Sequence, residues 1–230
     1  MIQTVNRAVT SPARVAAAAL FGAAGLLFML YPAVRPYSDY LNQTTLDGAR
    51  AYASGAWVAA HFFGMIGFLL LGLAVQALRE ILRGTDGDRA GIAATALTWV
   101  GVGLTLPYYG AEDFGLHAIG GRALADGTPE LLGLVDGVRG GGTQMTMFAA
   151  GLLLVAAGAV TAAVGIWRSG VLARWSGVPL AIGFALFIPQ FFGSPWMRVA
   201  HGVLLAAGAL WLAAELLRAR RTDRSARTTS

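Results

Sequence analysis

Long stretches without charge constrain this chain more than any other feature. Six segments, at about 15–33, 56–78, 90–109, 145–167, 178–193 and 199–217, hold a single charged side chain between them, Glu215. A helix needs about 20 apolar residues to cross the hydrocarbon core of a bilayer. The pattern predicts an all-α integral membrane protein: a six-transmembrane-helix bundle with two partly helical extracytoplasmic loops. The fifth segment is the shortest and carries Pro179 and Pro189, so it departs most from a regular span. The first follows Arg7 and Arg14, as a signal peptide would. The residues after it, Tyr31-Pro32-Ala33-Val34-Arg35-Pro36, make a poor small-residue cleavage site, and a retained span is expected.

Composition agrees. Charged residues make up 13% of the chain and the mean hydropathy is +0.61, whereas a soluble domain carries about a quarter charged residues. Basic residues follow the positive-inside rule. With both termini inside, the inner segments hold 12 arginines and the outer segments 5, namely Arg35, Arg50, Arg122, Arg139 and Arg198. This asymmetry accounts for a pI near 10.2 without a nucleic-acid partner. The expected organisation is a cytoplasmic N-terminus (1–14), one six-span domain (15–217) and a basic, disordered cytoplasmic tail (218–230), in a multi-pass protein of the cell membrane. The tail is read as an ordinary stop-transfer flank.

Several chemistries are excluded by absence. There is no cysteine, so no disulfide, thiolate nucleophile or cysteine-ligated metal. All 17 basic residues are arginine, which removes lysine Schiff bases. Phosphate-cradling glycine loops, Gly-x-Ser-x-Gly and His-Glu-x-x-His are also missing.

Two outer loops, 35–55 and 111–144, are too long for simple hairpins, and loops of this length are often functional. The first holds helically spaced trios, Tyr37/Tyr40/Leu41 and Leu46/Ala49/Tyr52. In the second, Thr128-Pro129 predicts a short helix with Thr128 as N-cap. Within the spans, Gly151, Gly158 and Gly165 recur every seven residues and Gly202/Ala206 sit four apart, a small-residue pattern that lets helices approach closely within one bundle.

Reactive side chains concentrate in the segment from Leu106 to Gly120. Glu112, Asp113 and His117 fall there, and in a helix Asp113 and His117 share a face. His61 and His201 begin inward-running spans, so the topology puts all three histidines on the outer side. Ionisable groups at membrane depth are costly and are functional candidates. Three readings follow. His61, His117 and His201 with Asp113 would suit a divalent metal such as zinc, with an open position to activate water. That site is similar to those of the progestin-and-adipoQ-receptor and alkaline ceramidase hydrolases, but their His-x-x-x-His pair on one span is absent and membership is not assigned. Haem b between His61 and His201 or His117 is a second reading. Third, Glu112, Asp113 and His117 would act as acid/base groups on a lipid or isoprenoid-like substrate, as carboxylic acids do in small membrane terpene cyclases. Trp57, Tyr108, Tyr109, Gln190 and Arg198 would bound the substrate pocket. A non-enzymatic transporter or accessory protein is the contrasting class; the lack of charge in mid-span argues against an ion path. Expected partners are membrane lipids and a lipophilic small molecule. Substrate and oligomeric state are not encoded in any recognisable motif.

Overall fold

The computed structural model describes residues 11–41 and 43–228. Arg7 and most of the 1–14 segment lie outside them. In chain order the helices are α1 (Ser11–Val34), α2 (Ser38–Leu41), α3 (Leu46–Tyr52), α4 (Gly55–Leu82) and α5 (Asp88–Gly110). A π-helical turn (Ala111–Gly115) leads directly into α6 (Leu116–Asp126). A 3₁₀ turn (Pro129–Gly133) precedes α7 (Leu134–Arg139), and α8 (Gly142–Ser169) and α9 (Val178–Ala185) follow. A second 3₁₀ turn (Pro189–Phe192) precedes α10 (Pro195–Thr228). No strand occurs among the described residues.

Five helical stretches are long and apolar enough to cross a membrane: Pro12–Val34, Gly55–Leu82, Asp88–Asp126, Gly142–Ser169 and Pro195–Arg218. Six were expected, and 178–193 is the difference. α9 has 8 residues, a rise of about 12 Å against a hydrocarbon core of about 30 Å. It stops at Ala185 because the amide that would bond the Ala185 carbonyl belongs to Pro189, which has no N–H. The segment nevertheless runs antiparallel to α10. Leu180 abuts Gly208, Gly183 abuts Leu205, and the Phe187 ring meets His201 edge-on at 5.4 Å.

The third stretch exceeds its expected length. Pro107 lies inside α5, and the helix continues through the π turn to Asp126, where Gly127 at φ 63° ends it as a left-handed cap. At the far end, the tail expected to be disordered continues α10 in helical form to Thr228, in keeping with the high helix propensity of its Arg and Ala residues.

Close approach of small residues holds the bundle together. α5 and α8 meet along Gly101, Gly151 and Gly158, where a Cβ on Gly151 would come within 2.5 Å of the Thr105 hydroxyl. The heptad of glycines thus packs within one bundle. α1 and α10 meet at Gly25, whose Cβ would lie 2.6 Å from that of Ala209. Large apolar side chains point outward instead: Phe62, Ile66, Leu69 and Leu73 make one exposed stripe along α4. A surface of that kind suits contact with lipid or another apolar partner rather than water.

Both expected loops are largely helical, and they fold onto each other. α3 packs on α6, with Gly120 against Tyr52 and the Ala49 carbonyl. Ala49, Tyr52, Trp57, Leu116, Ala123, Leu132 and Val135 form a second small core capping one end of the bundle. Pro129 opens its 3₁₀ turn as expected, but Thr128 makes no side-chain cap; its hydroxyl bonds the Asp126 carbonyl instead.

Candidate functional site

The site forms where the cap sits on the bundle. Just beyond α1, Arg35 donates through Nη2 to Asp39 Oδ2 at 2.7 Å, one helical turn on. The last residue of α7, Arg139, reaches in from the other loop. Its Nε and Nη2 both lie against Glu112 Oε1, at 2.9 and 2.8 Å. Nη2 also reaches Asp39 Oδ2 at 3.3 Å, and Nη1 donates to the Tyr52 hydroxyl at 3.2 Å. The Trp57 ring floors this network, with Arg35 at 4.8 Å and Arg139 at 5.4 Å from its centroid. Cation–π contact partly repays the desolvation of both guanidinium groups.

Charge pairing also governs protonation in the cap. Burial disfavours the Arg139 cation, but Glu112, Tyr52 and Asp39 outweigh it and raise its pKa. For Arg35, burial is again opposed, chiefly by Asp39, with the same net direction. Burial pushes the Tyr52 phenol up while Arg139 pulls it back, and the net shift is upward.

Glu112 and Asp113 sit in the π turn, a rare feature often found at functional sites. Glu112 faces the arginines. Its other oxygen, Oε2, lies 3.7 Å from His61 Nε2. His61 is fully buried, and its Nδ1 is 2.8 Å from the Trp57 carbonyl. A carbonyl can only accept, so Nδ1 carries a proton, and Nε2 is the atom left to exchange one with Glu112. Asp113 turns the other way. It is buried, and neither carboxylate oxygen finds a hydrogen-bond partner, although His61, His117 and Glu112 lie within electrostatic reach.

The three histidines share one end of the molecule but not one site. His117 Nδ1 is 2.9 Å from the Tyr52 carbonyl, tying α6 to α3. His201 Nε2 is 2.8 Å from the Gly183 carbonyl, tying α10 to α9. Among the described residues no group of three or more His, Cys, Asp or Glu is arranged to hold a metal ion. The His61–His117–His201–Asp113 ligand set is not assembled there; each histidine instead meets a backbone carbonyl through one ring nitrogen. The cleft beside His201, lined by Tyr31, Arg35, Gln190 and Arg198 among others, holds about 10 Å³, which is room for one water.

Beside the ion-pair network lies a cavity of about 340 Å³, within the range of small-molecule sites. Arg35, Asp39, Glu112, Arg139 and Arg198 make its polar wall. Tyr108, Phe148, Leu152, Ile188 and Phe191 make its apolar wall. Exposed Tyr40, Met145 and Phe192 stand at its rim. Of the expected pocket residues, Tyr108, Tyr109 and Arg198 line this cavity. Trp57 lies beneath the arginines, and Gln190 lines only the smaller cleft. Of the expected acid/base groups, only Glu112 reaches the cavity.

Arg35, Asp39 and Arg139 were not anticipated as site residues. As sequence they are ordinary loop charges, and the two arginines serve there only as markers of topology. One local signal existed: Arg35 and Asp39 are spaced i, i+4 between aromatic residues. No known protein family matches this chain, and comparison with curated proteins and with solved structures finds no significant similarity.

Proposed function

We propose that this multi-pass membrane protein binds a lipid-like amphiphile in the cavity beneath its helical cap, with Glu112 and His61 as the acid/base pair of that cavity. The observation that carries this reading is the division of one cavity into an ion-paired wall and an aromatic and aliphatic wall. A molecule with a polar head and an apolar body matches both. The rim residues Met145 and Phe192 are exposed and apolar, as befits an opening toward lipid. The arginine bias favours an orientation with this end outside the cell, and segment 178–193, running beside α10, would complete a sixth crossing that leaves both ends of the chain on the cytoplasmic side.

In this reading Glu112 works as an ionised carboxylate, paired with Arg139. Arg139 holds Oε1, leaving Oε2 to take a proton from the ligand or return one. His61 stands behind it with Nε2 uncommitted, so a proton on Oε2 has a second acceptor out of reach of the ligand. The metal-dependent and haem-binding readings gain no support from the histidine positions.

Organic extraction of detergent-purified protein, followed by mass spectrometry, tests the proposal. A stoichiometric amphiphile is expected from the wild type. It should be lost in Ala149→Phe, which fills the α8 wall of the cavity. Recovery of the same amphiphile from a folded Ala149→Phe protein would place the ligand elsewhere and sink the reading.

A further inference from the structure

Three arginines line the cavity, and they are not equivalent. Arg35 and Arg139 are neutralised by Asp39 and Glu112. Arg198 forms no ion pair among the described residues. Its Nη2 and Nε donate to two backbone carbonyls, Phe191 O at 2.5 Å and Gly193 O at 3.3 Å. Carbonyls orient a guanidinium without cancelling its charge. The group also lies over the Tyr40 ring, 5.0 Å from its centroid. Arg198 lines both the large cavity and the small cleft beside it, so it stands at their junction. It occupies the first turn of α10, where the helix dipole adds partial positive charge. Three guanidinium groups against two carboxylates leave the polar wall one positive charge in excess.

We infer that the ligand of this cavity is an anionic lipid, and that Arg198 is the residue that selects its oxyanion headgroup. This rests on the amphiphile reading above and adds the sign of the head. Arginine presents a rigid fork of donors matched to phosphate and carboxylate oxygens. The two carbonyl bonds hold Arg198 in place before the ligand arrives, which limits the entropy cost of binding. The lower wall of Phe148, Leu152 and Ile188 would take the start of an acyl chain. A neutral lipid would fill the same apolar space and leave the charge of Arg198 unanswered.

Native mass spectrometry in detergent tests this with dioleoyl phosphatidate and dioleoylglycerol, which share their tails and differ by the phosphate. The wild type should retain phosphatidate over dioleoylglycerol by about tenfold, as expected for one charge-assisted contact. Arg198→Gln should bring the two within about twofold while dioleoylglycerol binding persists, which also reports that the variant is folded. Arg198→Lys should keep part of the preference, since it retains the charge and loses the fork. An unchanged preference in Arg198→Gln would overturn the assignment of Arg198 and leave the amphiphile pocket standing. Binding of neither lipid by the wild type would overturn the pocket reading and this inference with it. Displacement of phosphatidate by millimolar inorganic phosphate would make the free ion the ligand and overturn the lipid source.

Discussion

Arg139 links more of the site than any other residue. It touches Glu112, Asp39 and Tyr52 from a side chain that is mostly buried. Removing one member of a buried ion-pair network leaves its partners charged and unsolvated, which costs about 3–5 kcal/mol. Arg139→Ala should therefore lower the unfolding free energy, measured by chemical denaturation in micelles, by about 3 kcal/mol. Arg122→Ala is the control. Its pair with Asp126 is largely exposed, and the loss should stay within about 1 kcal/mol. A cost at position 122 equal to that at 139 would mean the network is no special structure. The buried phenols of the cap give a pH signature. Tyr37 and Tyr52 are both raised above the ordinary tyrosine value, chiefly by burial. A raised folded pKa means the unfolded chain releases these protons first. Stability from these groups is thus fully present below pH of about 10 and is lost as pH climbs through the folded values. A denaturation series from pH 8 to pH 11 should show this decline (roughly the span around the free phenol value), and Tyr52→Phe should flatten it.

Helices in this bundle associate through glycine. The Cβ of a residue replacing Gly158 would run into the Thr98 hydroxyl and the Ala94 carbonyl. Overpacking of this kind costs about 1–3 kcal/mol, and more when backbone blocks the way. Gly158→Leu should destabilise by at least about 2 kcal/mol in the same assay. Gly103, on the opposite side of α5, has nothing within 4 Å of its ideal Cβ. Gly103→Ala should be neutral or stabilising by about 0.5–1 kcal/mol through helix propensity. Equal effects at the two positions would mean that α5 and α8 do not meet on this face. Among the elements, α9 departs most from expectation. Its apolar composition suits a full span, yet one missing amide at Pro189 ends the ladder. The chain then passes Ile188, Phe191 and Phe192 as an irregular wall, and these side chains border the cavity. A straight helix there would close against α8 along its length.

At the scale of the whole molecule, the two loops form one cap and the histidines all lie under or beside it. Orientation is open to direct test because the chain contains no cysteine. Asp126→Cys, in the cap, should react with a membrane-impermeant thiol reagent on intact cells. Asp86→Cys, in the turn between α4 and α5, should react only after lysis. The reverse pattern would invert the topology, and the cavity would then face the cytoplasm.

Membrane character, the rough positions of the long helices and the glycine stripe on α8 were all legible in the residues, because each depends on local composition or on a period along one helix. Glu112 was legible as a candidate for the same reason: a carboxylate beside a long apolar run is rare and costly. The break in segment 178–193 was not legible, since apolar length does not reveal where a ladder of amides ends. Whether three histidines on separate helices converge was not legible either, because their spacing depends on how α4, α6 and α10 dock, and among the described residues they do not form a metal-holding group. Arg35, Asp39 and Arg139 could not be read as a unit, for Arg139 meets its partners across 27 and 100 residues of chain. Local hydropathy along the chain is enough to set the solvent it prefers and the helices that satisfy its backbone there. Which charges meet, which histidine stands behind Glu112 and where a cavity remains were decided only by tertiary structure, because contacts between distant segments depend on how helices dock, and docking is not written in any one of them.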